Sequence, residues 1–149
     1  MKVRIKKLTP NAVIPTKKYN SDFCYDLTAT SVEEIKPGVY CYGTGLAVEM
    51  VRDIDETLGK RISIDIRPRS SIYKTGMVLA NSTGTIDEGY RNEIKLIFYK
   101  VADGDIYEVG ERVAQMKIGF TVPVEFEEVE ELNPSVERNL GGFGHTGRK

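Results

Sequence analysis

The sequence is poor in the residue types on which several common kinds of site depend. Its 149 residues contain one histidine, two cysteines and no tryptophan. Cys24 and Cys41 do not form a CxxC pair, and three potential ligands cannot fill a four-ligand Cys/His zinc site. Two cysteines also do not make a disulfide framework, so we expect two reduced thiols in a cytosol-like compartment.

Long apolar runs and a dominant charge are also missing. The opening MKVRIKKLTPNAVIP has basic residues but no apolar signal-peptide region, and no window approaches the length of a membrane span. The formal net charge is -1, which provides no broad basic field for nucleic acid. We therefore expect a cytoplasmic, non-secreted protein without membrane or nucleic-acid partners, with the nucleus or a virus-infected host cell as alternative locations. Any polyanion that binds must be small and locally held.

Helix-forming patterns are scarce, and most apolar stretches are short, β-branched or aromatic and bounded by Gly, Pro, Asn or Asp. This pattern predicts strands at 1–8, 26–29, 38–47, 61–66, 77–80, 93–100, 113–120 and 125–129. The only stretch with helix-like features is 51–58. Many short strands at this spacing favour an all-β sandwich or barrel. We therefore predict a single all-β domain over 1–132, followed by a flexible tail over 133–149.

The tail, RNLGGFGHTGRK, is richer in chemistry than an ordinary linker. It is close to the phosphate-binding pattern G-x-x-x-x-G-K-[ST], but Arg148 stands in place of the lysine and no Ser or Thr follows. Its glycines would still let backbone N–H groups surround an anion, and Arg138 can bind phosphate as a fork. Phe143 offers a flat face to a ring. Taken alone, the composition favours a plain disordered tail, with a flap over a nucleoside triphosphate as the alternative.

Three further stretches contain candidate polar site residues. In RPRSSIYKTG, Arg69, Ser70 and Ser71 combine a guanidinium with two hydroxyls, which suits phosphate oxygens; the alternative is a polar surface turn. In FCYDLTAT, Asp26 could hold a hydrated magnesium ion, or could simply be a turn residue before a strand. Gln115 lies in an otherwise apolar strand, so it needs partners at a polar site or at a wet edge.

The stretch MVLANSTGTIDEGYRNEIKL predicts a β-hairpin with the four-residue loop Asn-Ser-Thr-Gly. Backbone donors and acceptors at its rim could select uracil, and Asn81 adds an amide that donates or accepts. Asp87 follows the hairpin as a candidate general base for water, with an ordinary bend as the alternative. Tyr90 could pack under a sugar and favour a deoxyribose, because a 2'-hydroxyl there would be buried without a partner.

The order of these stretches is more specific than any one of them. YDLTA, PRSS, TID..YRNE, GERVAQM and R..GGFGHTG together resemble the five ordered motifs of the trimeric dUTPases, the deoxyuridine triphosphate pyrophosphatases, over residues 23–147. The resemblance implies a jelly-roll subunit of the β-clip type and a homotrimer whose active sites are each assembled from three chains. It also implies conversion of dUTP and water to dUMP and pyrophosphate with Mg²⁺.

The resemblance implies a role for each matched residue. Asp87 would activate the water that attacks the α-phosphorus, and Asp26 would contact Mg²⁺ through water. The implied substrate contacts are Arg69, Ser70, Ser71 and Gln115 for phosphate, Asn81, Thr85, Ile86 and Lys95 for uracil and sugar, Tyr90 beneath the deoxyribose, Phe143 stacked on uracil, and Arg138, His145 and Thr146 for the γ-phosphate.

Several positions depart from the family pattern, and rival functions exist. Cys24 and Asn92 replace usual glycines, His145 replaces a usual Ser or Thr, and the connection over 51–61 is longer and more charged. The dCTP deaminases share the implied fold, but they place a glutamate where this chain has Ile97. A third possibility is a member of this fold that acts by binding partner proteins.

Overall fold

The structure is a computed structural model that describes residues 2–51 and 61–133. Strands dominate these ranges, and the one helical element described is a short 3-10 helix. The elements are β1 (Lys2–Lys7), β2 (Cys24–Thr28), β3 (Ser31–Lys36), β4 (Val39–Gly43), β5 (Leu46–Val51), β6 (Arg61–Pro68), the 3-10 helix (Ser70–Lys74), β7 (Met77–Leu79), β8 (Gly84–Ile86), β9 (Lys95–Lys100) and β10 (Arg112–Thr121).

The described strands form three antiparallel sheets. Sheet A pairs β1 with β5, sheet B has the order β2-β10-β6-β8, and sheet C has the order β3-β4-β9-β7. This arrangement confirms the predicted all-β, jelly-roll architecture. In the described ranges, no helix has the length and apolar character needed to cross a membrane. Both cysteines are free thiols.

Strand β6 illustrates how alternation builds the core. Ile62, Ile64 and Ile66 are buried, whereas the intervening Ser63, Asp65 and Arg67 are only partly buried and face the other side of sheet B. We call that side the outer face of sheet B. The pattern matters for function because it places apolar side chains in the core and leaves polar ones on the outer face.

An aromatic cluster fills the core beneath sheet C. Tyr42 packs edge-to-face on Phe98 at a centroid distance of 5.5 Å and on Tyr107 at 6.2 Å. The Tyr42 hydroxyl donates to the Tyr107 carbonyl at 3.0 Å. Burial raises the pKa of Tyr42 to about 12. The cluster therefore keeps a neutral phenol in the centre of the barrel.

The strand predicted over 38–47 is two strands, β4 and β5. Gly45 breaks it with a φ of +64°, which is in the left-handed region. A Cβ at this position would overlap Thr9 Oγ1 and would lie 3.0 Å from the Ala12 Cβ. The turn brings Gly45 N–H to Glu93 Oε1 at 2.8 Å, so it also contacts the segment that follows Asp87.

One further predicted strand is wrong, and one observed strand has no predicted counterpart. The predicted strand 125–129 is absent: the segment is exposed, with Phe126 92 % accessible, and it has no ladder partner among the described residues. Strand β3 was not predicted, because SVEEIK is a polar edge strand with little apolar alternation. Of the helix expected over 51–58, Val51 ends β5, and the remaining residues lie outside the described ranges.

The predicted hairpin is also corrected. Its two arms exist as β7 and β8, but they do not pair with each other: β7 pairs with β9 in sheet C, and β8 pairs with β6 in sheet B. The Asn-Ser-Thr-Gly turn therefore joins two sheets. Its tight form is visible at Ser82, which has a φ of 52° and donates its N–H to the Leu79 carbonyl at 3.2 Å.

Candidate active site

The Asp26 carboxylate is held between two arginines at the edge of sheet B. Arg69 Nε donates to one carboxylate oxygen at 3.0 Å, and Arg112 Nη1 donates to the other at 2.9 Å. The Asp26 side chain is 22 % exposed, so the pairs are partly shielded from solvent. Charge-assisted bonds of this kind are stronger than neutral ones, and they fix the carboxylate at a defined orientation.

Arg69 leads directly into the 3-10 helix. It is extended, with φ -76° and ψ 153°, as expected for an N-cap residue, and its carbonyl accepts the Ile72 N–H at 3.0 Å. Its Nη1 approaches Ser71 Oγ at 3.4 Å and the Arg112 carbonyl at 3.5 Å. Ser70 remains exposed. The predicted surface turn is thus an ordered element that presents a guanidinium and two hydroxyls together.

Gln115 joins this group from the centre of sheet B. On β10 it is paired with Asp26 on one side and Arg67 on the other. Its Nε2 donates to the Pro68 carbonyl at 2.9 Å, and this hydrogen bond fixes the orientation of the side-chain amide. We call Asp26, Arg69, Ser70, Ser71 and Gln115 the phosphate cluster.

A cavity of about 570 Å³ lies over the phosphate cluster, a volume in the range of small-molecule sites. Its lining includes Lys17, Asp22, Asp26, Arg69, Arg112 and Gln115. Lys17 Nζ holds the surrounding loop by donating to the carbonyls of Asn20 at 2.6 Å and Asp22 at 3.1 Å. The cavity is therefore polar, and its wall is tied together by side chains.

The residues expected to contact the base and sugar form a second group, which we call the base-side loop: Asn81, Thr85, Ile86, Asp87, Tyr90 and Lys95. Asp87 is exposed, and its carbonyl accepts the Tyr90 N–H at 2.9 Å in a tight turn. The Tyr90 hydroxyl donates to the Glu93 carbonyl at 2.7 Å, while the residue as a whole remains 38 % exposed. This geometry leaves a carboxylate and a ring available to a ligand.

Local packing fixes the rest of the base-side loop. A Cβ on Gly84 would lie 2.7 Å from Asn81 Nδ2, so only glycine lets that amide approach the backbone. Thr85 Oγ1 donates to Asp65 Oδ1 at 3.1 Å. Lys95 Nζ lies 3.7 Å from Glu93 Oε2, and Ile86 is half-buried.

Three supporting residues escaped the sequence reasoning: Arg112, Asp65 and Glu93. Arg112 opens β10 and holds Asp26, yet 86 positions separate the two. In the sequence, Arg112 is visible only as part of the GERVAQM motif, and the fold alone reveals its partner. Glu93 ends the YRNE motif and opens the predicted strand 93–100, but neither feature indicates that its carboxylate binds the Gly45 N–H across 48 positions.

Asp87 and Arg69 lie far apart within one chain. Thr85 pairs with Asp65 and Ile86 with Ile64, so Asp87 follows at the level of Ser63. Arg69 is six positions further along the chain of β6, which corresponds to roughly 20 Å of strand. No hydrogen bond or ion pair joins the phosphate cluster to the base-side loop among the described residues. Arg138, Phe143, His145 and Thr146 lie outside the described ranges.

The donor set suits a magnesium ion that is held through water. Among residues 2–51 and 61–133, no group of three or more Cys, His, Asp and Glu side chains could enclose a metal. A carboxylate offers about four acceptor positions, and Asp26 uses two of them on arginines. The remaining positions can accept from a metal-bound water, and Mg²⁺ commonly keeps several waters while phosphates supply its other ligands.

Comparison with known proteins gives a consistent result. The family model described as dUTPase matches residues 10–147. The deoxyuridine 5'-triphosphate nucleotidohydrolase of Nautilia profundicola is 39 % identical over 152 residues, covering 99 % of this chain and 100 % of the relative. The enzyme of the same name from Clostridium acetobutylicum is 36 % identical, covering 99 % and 97 %.

A solved structure has the same fold. The Staphylococcus bacteriophage 80alpha dUTPase G164S mutant with dUpNHpp matches with a TM-score of 0.78 and 24 % identity, covering 98 % of each chain. The family model and the full-length relatives together settle the assignment: the chain belongs to the dUTPase family.

Proposed function

We propose that this protein hydrolyses dUTP to dUMP and pyrophosphate, which removes dUTP from the nucleotide pool and supplies a precursor of dTTP. The observation that carries the proposal is the full-length match to nucleotidohydrolases of dUTP. Further support comes from the fold, which gathers the matched motif residues into two groups suited to opposite ends of the nucleotide.

Asp87 is the proposed general base. It is exposed at a closed turn, and its side chain can accept a proton from water without first breaking an ion pair described in the structure. In the proposed reaction the activated water attacks the α-phosphorus, the bond from the α-phosphorus to the bridging oxygen breaks, and pyrophosphate leaves. Tyr90 is the proposed support beneath the deoxyribose, with its hydroxyl already engaged by the Glu93 carbonyl.

Asn81, Thr85, Ile86 and Lys95 are the proposed contacts to uracil and sugar. The close packing of Asn81 on Gly84 supports a backbone of fixed shape at this point. A fixed rim of donors and acceptors can distinguish uracil from cytosine, because the two bases present different patterns along their pairing edges.

Arg69, Ser70, Ser71 and Gln115 are the proposed contacts to phosphate. Arg69 is oriented by Asp26, and Gln115 is oriented by the Pro68 carbonyl, so both groups are placed before substrate arrives. Asp26 would hold Mg²⁺ through water. When bound, that ion would offset charge on the phosphate oxygens. A structure of the dUTPase from phage phi11 of S. aureus, which shares the fold, describes a structural Mg(II) ion in that protein.

The tail, residues 133–149, is proposed to close over the bound nucleotide. Phe143 would stack on uracil, while Arg138, His145 and Thr146 would bind the γ-phosphate. A glycine-rich segment suits this role because its backbone can follow the ligand closely. In this proposal the base-side loop, the phosphate cluster and the tail together enclose the bound nucleotide.

The separation of roughly 20 Å between Asp87 and Arg69 supports a shared site. A nucleotide whose α-phosphorus lies beside Asp87 would then use the Arg69 of another copy for its remaining phosphates. We therefore propose a homotrimer in which each active site combines residues of different copies. Sedimentation at equilibrium tests this assembly, and a stable active monomer would contradict it.

Product analysis with two nucleotides tests the proposed activity. The purified protein is incubated with Mg²⁺ and either dUTP or dCTP. Pyrophosphate and dUMP from dUTP are expected. Formation of dUTP from dCTP would instead identify a deaminase, and no turnover of either nucleotide would contradict both enzymatic functions.

A further inference from the structure

The outer face of sheet B contains an arginine that the proposed reaction does not yet use. Arg67 lies on β6 in the same cross-strand row as Gln115 on β10 and Asp26 on β2. Side chains opposite one another in such a ladder have Cβ atoms about 5 Å apart. Arg67 is therefore a direct neighbour of Gln115 and lies about two strand spacings from Asp26.

Arg67 has donor groups that the described structure leaves unused. Its Nε is buried and has no hydrogen-bond partner among residues 2–51 and 61–133. Its Nη2 lies 3.6 Å from Asp65 Oδ2, which is an ion pair but is longer than a hydrogen bond. Buried donors are nearly always satisfied, so an arginine with a free Nε needs an acceptor from elsewhere.

The charge around Arg67 favours an anionic acceptor. Arg69 and Arg112 share the single carboxylate of Asp26. On the same face, Lys117 is paired in register with Asp65, the partner of Arg67. Four cationic side chains thus accompany two carboxylates, and the excess positive charge is concentrated beside the cavity over the phosphate cluster.

We propose that Arg67 binds a phosphate group of the substrate, as a further contact beside Gln115. This inference rests on the proposed function. The long ion pair with Asp65 keeps the guanidinium on the outer face, where its free donors can turn toward a phosphate oxygen. An arginine in this row extends the phosphate cluster from β2 and β10 onto β6.

Two substitutions with a matched control test the proposal. Arg67→Gln removes the charge but keeps a polar side chain, and Arg67→Lys keeps the charge without the fork. Arg4→Gln is the control, because Arg4 is also a strand arginine in an ion pair, with Glu49 at 3.1 Å, but lies on sheet A. For each protein the KM for dUTP and the inhibition constant of deoxyuridine, which lacks phosphate, are measured.

The KM for dUTP is expected to rise by about tenfold in R67Q and by less in R67K, while R4Q matches the unmodified protein. The inhibition constant of deoxyuridine should change by less than about twofold in all three, since loss of a phosphate contact cannot affect a ligand without phosphate. An unchanged KM for dUTP in R67Q would overturn the inference. An equal increase in the KM for dUTP and in the inhibition constant of deoxyuridine would also overturn it, because the substitution would then affect the whole site and not a phosphate contact.

Failure of the proposed function has a different signature. If the unmodified protein leaves dUTP intact in the presence of Mg²⁺, the activity itself is rejected and the role of Arg67 is rejected with it. If the unmodified protein is active and R67Q keeps its KM, only the role of Arg67 is rejected.

Discussion

The phosphate cluster and the base-side loop are built in opposite ways. The phosphate cluster is held by side chains that are distant in sequence, with Asp26 bound to Arg69 across 43 positions and to Arg112 across 86. Around Asp87, the base-side loop is held by contacts between residues close in sequence, as in the Asp87–Tyr90 turn and the Tyr90–Glu93 hydrogen bond. One region is fixed by paired charges, and the other leaves its carboxylate exposed.

The difference reflects the task proposed for each region. A region that receives a highly charged triphosphate benefits from cations placed in advance, because their reorganisation would otherwise oppose binding. A general base must instead keep its carboxylate unpaired until it accepts a proton. The comparison predicts that substitutions in the two regions affect different kinetic constants.

The largest effect is expected at Asp87. Asp87→Asn removes the proposed base but preserves the size of the side chain, so kcat should fall by about 10²–10⁴-fold while KM changes by less than about threefold. Steady-state kinetics with dUTP measures both constants. A variant with nearly normal kcat would remove Asp87 from the mechanism and would erase the contrast between the two regions.

A second prediction concerns the core that supports both regions. Burial raises the pKa of Tyr42 from 10.0 to about 12, so the folded state holds this proton more tightly than the unfolded chain. Its stabilising contribution is therefore complete below pH 10 and is lost as the pH rises from 10 to 12, by up to about 2–3 kcal/mol.

Urea unfolding between pH 9 and pH 12, in the unmodified protein and in Tyr42→Phe, measures this effect. The variant should lose about 1 kcal/mol near neutral pH through the missing hydrogen bond, but it should show a shallower decline above pH 10. Parallel declines in the two proteins would contradict the assignment to Tyr42.

The third prediction concerns the hydrogen bond between Glu93 and Gly45, which holds the segment that follows Asp87. Glu93→Ala removes the acceptor of the Gly45 N–H, and the free energy of unfolding should fall by about 1–2 kcal/mol. Glu93→Gln retains an acceptor oxygen and should restore most of this loss. Denaturant midpoints give the values, and equal midpoints for the two variants would show that the hydrogen bond is not the cause.

The smallest effect is expected at Arg112. Arg112→Gln removes one of the two cations on Asp26, and because Arg69 remains, the KM for dUTP should rise by only about 3–10-fold with kcat little changed. Arg112→Lys should lie between this variant and the unmodified protein. If Arg112→Gln lowers kcat as strongly as Asp87→Asn, the proposed division between the two regions fails.

Much of the fold could be predicted from the sequence because the barrel strands alternate clearly. Ile62, Ile64 and Ile66 specify the inner face of β6, and a strand appears near every predicted position except 125–129. That segment alternates as a strand does but has no described neighbour to pair with. Strand β3 pairs with β4 despite its polar sequence, since an edge strand can expose both faces.

The candidate site could be predicted only in part. Its residue types were recognisable within short motifs, such as Arg69 in PRSS and Gln115 in GERVAQM. The partners of those residues were not, because cross-strand register is a property of the folded sheet. Three residues show this limit, because each depends on a partner on another strand. Arg112 binds Asp26, Asp65 accepts from Thr85, and Arg67 lies opposite Gln115.

The pairing of β2 with β10 has a consequence for how the protein is made. During synthesis β2 emerges early, but its neighbour in sheet B is the last strand of the described chain. Domains built on such distant pairings fold slowly compared with those built on local contacts. The carboxylate of Asp26 gains its second arginine only after nearly the whole domain has left the ribosome, so incomplete chains cannot assemble the Arg69–Asp26–Arg112 arrangement.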